Sequence, residues 1–85
     1  MPHDRNQDLS ELYRWLDAVA PELGVNSADI PVGDVLDLSK VVAHDVTRPG
    51  VPVTAFLAGL AVGSGLNPDA LATLTERARN WTPAG

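Results

Sequence analysis

Apolar side chains recur at helical spacing in four separate stretches of this chain. In the first, Leu9, Leu12, Tyr13, Leu16, Val19 and Leu23 line one face, while Glu11, Arg14 and Asp17 occupy the other. Asp8, with Glu11 three residues on, reads as the N-cap of a capping box. Pro21 lacks a backbone donor and should kink or tighten the last turn, and Gly24 should end the helix in a left-handed conformation. The second stretch begins near Val32 or Gly33 and runs through Val35, Leu38, Val42 and Val46, widened by Leu36 and Ala43. Asp34 and Asp37 fall in its first turns, where the helix dipole favours negative charge, and Pro49 forces its stop.

The third stretch opens at Pro52, a residue suited to a first helical position. Val53, Phe56, Leu57 and Leu60 share one face, and Ala55, Gly59 and Gly63 recur on another. A glycine inside a helix costs about 0.5–1 kcal/mol relative to alanine, so two on one stripe predict a neighbouring helix crossing very close. Gly65 followed by Leu66 reads as a Schellman stop with its apolar contact. Asn67-Pro68 then starts a fourth helix, lined by Leu71, Leu74, Ala78 and Trp81 and ended by Pro83. Neither a period-2 strand pattern nor an internal repeat is present. The pattern predicts an all-α fold: a compact four-helix bundle with short loops, helix three central, spanning residues 8–82 as one domain after a disordered tail at residues 1–7.

Composition narrows the function classes. At 85 residues the chain is one small domain with a thin stability margin, which tight helix packing or association would widen. A net charge of −5 argues against nucleic acid and anionic lipid as partners. The first ten residues are too polar for a signal peptide. The longest apolar run, Val51 to Leu66, is interrupted by Pro, Thr, Ser and Gly and does not read as a membrane span. Cysteine is absent, which fits a reducing compartment, so a cytoplasmic location is expected.

Candidate chemistry concentrates at one corner. His44 and Arg48 are four apart on helix two and share a face with Asp37, while Asp45 is placed to pair with Arg48. Arg48, His44 and the first amides of helix three near Thr54 would together make a small anion site at a positive helix end. The structural alternative is that Arg48 caps the last carbonyls of helix two and His44 is a half-buried packing residue. Two histidines and no cysteine are too few for a metal site, and none is expected. No serine has an evident histidine base. Asp37-Leu38-Ser39 lacks the adjacent Asp-Ser order, at a helix start, that a carrier protein needs for a phosphopantetheine arm. Trp81 continues the core stripe of helix four, whereas Trp15 sits beside the stripe of helix one and is a candidate boundary or interface residue.

Several segments resemble a small bacterial domain of unknown function. They are Leu12-Tyr13-Arg14-Trp15-Leu16, Glu22-Leu23-Gly24, Val35-Leu36-Asp37-Leu38, Val42 to Pro49, and Pro52 to Gly59. Domains of that kind occur alone or appended to proteins similar to molybdenum cofactor guanylyltransferases, which make molybdopterin-guanine dinucleotide. The resemblance implies an association with that biosynthesis and supplies no catalytic residues, and the nucleotidyltransferase part of such fusions is absent. The expectation is a non-catalytic accessory domain without cofactor, acting through a protein partner or a homodimer. The alternative is an anion- or nucleotide-binding domain using His44, Arg48 and Thr54.

Overall fold

The computed structural model describes residues 9–82. The tail at residues 1–7, the Asp8 cap and the Pro83 stop lie outside them. The fold is all-α: α1 (Leu9–Val19), α2 (Val32–Val41), α3 (Gly50–Gly63) and α4 (Ala70–Arg79), with two 3-10 turns and one π turn. Among the described residues there is no strand. Four helices are the number that the apolar spacing predicts. The chain divides into two units, Met1–Pro31 and Val32–Gly85.

In the first unit, α1 carries four members of the expected apolar stripe, Leu9, Leu12, Leu16 and Val19, half-buried, while Tyr13 is exposed and Leu23 lies past the helix end and is exposed as well. Pro21 cannot donate the next α-helical hydrogen bond, so the chain tightens into a 3-10 turn, Pro21–Leu23. The end is a Schellman motif: Gly24 N–H donates to Pro21 O at 3.0 Å and Val25 N–H to Ala20 O at 2.9 Å. Gly24 has φ 74°, the left-handed conformation that favours glycine. Asn26 then caps a second turn, Ser27–Asp29, its side chain accepting the Ala28 N–H at 2.9 Å. Ser27 Oγ ties that turn to α1 by donating to Asp17 Oδ1 at 2.6 Å.

The second unit is built on α2. Leu38, 1% exposed, and Val42 meet Ala58 of α3 and Ala78 of α4, and Val41, Val51, Leu71 and Leu74 pack around this cluster. The two alanines let α3 and α4 approach the larger side chains of α2. Past Val41 the helix widens into a π turn, Val42–Val46, closed by Thr47 N–H donating to Val42 O at 2.8 Å. Thr47 is extended, and the chain leaves the helix there, just ahead of Arg48-Pro49. The expected start of α4 at Asn67-Pro68 falls early: Asn67 Oδ1 accepts Asp69 N–H at 3.0 Å in a turn ahead of the helix, and α4 begins at Ala70 with Asp69 as an N-cap that makes no side-chain bond.

Helix three does not hold the centre. It buries Ala58 alone, while α2 and its π turn bury Val32, Leu38 and Val42. An almost wholly apolar helix has no preferred side from composition, and the face read as core is the outer one. Val53 (69% exposed), Phe56 (70%), Leu57 (52%) and Leu60 (56%) all lie open. The close crossing at Gly59 and Gly63 is also absent, since a Cβ at either position would meet nothing within 4 Å. Close approach occurs instead at Gly50, whose Cβ would lie 3.2 Å from Thr47 Cγ2 and 3.3 Å from Val42 Cγ1. Gly65 has the predicted left-handed φ of 76°, but Leu66 is exposed and makes no apolar cap.

Candidate functional site

Two grooves flank α4 in the second unit. The larger, about 350 Å³, lies between α2 and α4 and is lined by Asp34, Asp37, Leu71, Ala72, Thr75, Glu76 and Arg79. Its charged groups come from two pairs spaced by three residues, Asp34/Asp37 and Glu76/Arg79, so each helix directs both members of its pair to one side. The Thr75 hydroxyl is spent on its own helix, donating to Leu71 O at 2.8 Å. Glu76 Oε2 accepts from Asn80 Nδ2 at 3.3 Å. The groove therefore presents three carboxylates and one guanidinium to solvent.

The smaller groove, about 150 Å³, is mainly apolar and is lined by Val42, Val46, Thr54, Leu74, Arg77, Ala78 and Trp81. The Arg77 guanidinium lies 6.0 Å from the centroid of the Trp81 ring, at the outer limit of a cation–π contact. Trp81 sits beyond the end of α4 and is 46% exposed, so it is a groove wall and not the core residue its spacing suggested.

The sequence-predicted residues are distributed differently. Thr54 lines the smaller groove with Arg77 and Trp81. His44 and Arg48 line neither groove. His44 Nδ1 and Asp45 Oδ1 are 2.9 Å apart, so Asp45 pairs with His44 instead of Arg48, and His44 is exposed rather than half-buried. Asp37 lines the larger groove and His44 does not, and His44 falls inside the π turn, where the α-helical register that aligns residues seven apart is broken. Among the described residues Arg48 has no hydrogen bond to a carbonyl of the preceding helix, and the Val42 carbonyl is taken by Thr47 N–H. The amides at the start of α3 are engaged as well: Gly50 N–H donates to Thr47 O at 3.1 Å and Val51 N–H to Arg48 O at 3.0 Å, and Pro52 has none. Trp15 stands out from α1 at 61% exposure.

The interval of four between Arg77, in α4, and Trp81, just past its end, is the local signal that could point to this pair. What it could not reveal was Thr54 on the opposite wall. Among the described residues, no group of three or more His, Cys, Asp or Glu is arranged to hold a metal ion, and no helix is long and apolar enough to cross a membrane. The described serine hydroxyls of Ser27, Ser39 and Ser64 donate to Asp17, Val35 O and Leu60 O.

These features define a helical domain whose chemistry is that of surfaces: an acidic groove, a small aromatic groove and an outward apolar helix face. The chain belongs to the family described as domain of unknown function (DUF6457), whose model matches residues 7–85, nearly the whole sequence. No curated protein and no solved structure matches it.

Proposed function

We propose that this chain is a non-catalytic interaction domain that buries the outer face of α3 against a protein surface and serves molybdenum cofactor (molybdopterin-guanine dinucleotide) biosynthesis. The observation that carries the binding part is the outer run of α3. Val53, Phe56, Leu57 and Leu60 follow the i, i+3, i+4, i+7 spacing of a helix docking face, and all four are more than half exposed. No charged residue lies between Arg48 and Asp69 to keep that face in water. Apolar surface gathered in one place favours contact, whereas singly scattered apolar residues do not.

Support for the biosynthetic link is the resemblance of Val35–Leu38, Val42–Pro49 and Pro52–Gly59 to domains appended to guanylyltransferase-like proteins. Complementation tests the whole reading. Cells lacking this chain should lose molybdoenzyme activity; the wild-type chain should restore it, and Phe56→Asp should not. Full molybdoenzyme activity in the deletion strain removes the cofactor link. Full rescue by Phe56→Asp removes α3 as the functional surface.

A further inference from the structure

We infer that the occupant of the α3 face is a second copy of this chain, paired with it α3 to α3. This rests on the reading above that the face is an interface and names what covers it. Three observations carry the inference.

The first is charge. Each copy carries −5, so most pairings of one copy with another would set carboxylate against carboxylate. The α2–α4 groove, with Asp34, Asp37 and Glu76, is a surface where self-association is opposed. Helix α3 has no charged residue over its 14 positions, so two copies can meet there without juxtaposed like charges.

The second is area. Phe56, Leu57, Leu60 and Val53 at their observed exposures hold on the order of 400 Å² of apolar surface. A standard interface takes about 800 Å² from each partner, of which about 65% is apolar in homodimers. The four side chains thus supply most of the apolar centre that such a dimer needs. Pro52, Gly59 and Gly63 flank them on the helix and add backbone surface to the rim.

The third is the kind of contact the face suits. Transient partners are steered and selected by charges around the contact, and α3 offers none. An uncharged apolar face suits permanent cover, as in obligate homodimers. The need for cover is real in a unit whose core cluster has two alanines among its four buried members.

Sedimentation velocity and light scattering on the full chain at tens of micromolar test the pairing. The expected mass is twice the 9.0 kDa of one chain, falling to one chain in Phe56→Asp and in Leu60→Asp, with helical circular dichroism unchanged in both. A wild-type chain that stays at 9.0 kDa overturns the inference. So does a dimer that survives both substitutions, because it pairs through another surface. If the wild-type chain is monomeric while Phe56→Asp still fails to complement the deletion strain, the second copy is excluded but α3 remains the functional face.

Discussion

Gly50 is pressed against Val42: a Cβ on the glycine would lie 3.3 Å from the valine Cγ1. Val42 is buried and β-branched, so it has little freedom to yield. The contact joins the π turn to the first turn of α3 and sets how the chain reverses between them.

Gly50→Val should therefore overpack this junction and cost about 1–3 kcal/mol. Gly59 provides the contrast, because its Cβ would meet nothing within 4 Å and it lies inside a helix. Gly59→Ala should stabilise the chain by about 0.5–1 kcal/mol. Urea denaturation of the two variants beside the parent checks both signs, and a stabilising Gly50→Val would contradict the packing described here.

Leu38 is the most deeply buried large side chain, and its cluster ties α2, α3 and α4 together. Leu38→Ala should cost about 2–5 kcal/mol, from lost transfer energy and the cavity left behind. Chemical denaturation measures it, and a loss under about 1 kcal/mol would mean that the cluster is not the core of the second unit.

Asn67 ties the turn ahead of α4 by accepting Asp69 N–H at its Oδ1. Asn67→Ala should cost about 0.5–1.5 kcal/mol, the net worth of one hydrogen bond, whereas Asn67→Asp, which keeps the acceptor, should cost much less. Thermal melting of the pair separates loss of the acceptor from loss of bulk.

Arg77 over Trp81 should be visible spectroscopically and nearly silent energetically. Arg77→Gln should shift Trp81 emission while changing stability by no more than about 0.5–1 kcal/mol, as for an exposed cation–π contact. Trp15→Phe in the background isolates the Trp81 signal, and an emission spectrum indifferent to Arg77 would place the guanidinium elsewhere in solution.

Where local chemistry decides, the sequence was readable. Pro21 and Gly24 mark the end of α1 and Gly65 the end of α3, because a missing donor and a left-handed φ act within a few residues; Asn67-Pro68 marks a turn that precedes α4, which begins at Ala70. The π turn was hidden, since Val42 and Val46 keep an interval of four that reads as continuous α-helix. That one turn breaks the register that would align His44 with Asp37. The placing of α3 failed for a different reason: residues apolar on nearly every side do not say which side is covered, and Ala58 was less conspicuous than Phe56 and Leu60. The smaller groove joins Thr54 to Arg77 and Trp81 across two helices, and no local pattern encodes that meeting.

Openness of the α3 face is what makes it an interface and not core. Thermal melting of Phe56→Asp against wild type, both diluted until each sediments at 9.0 kDa, tests it directly. The two stabilities should agree within the effect of a surface substitution, about 0.5 kcal/mol, because Phe56 is 70% exposed. A loss of about 3–5 kcal/mol, the cost of disrupting a buried phenylalanine, would show that Phe56 belongs to the core and that the α3 face is not open to a partner.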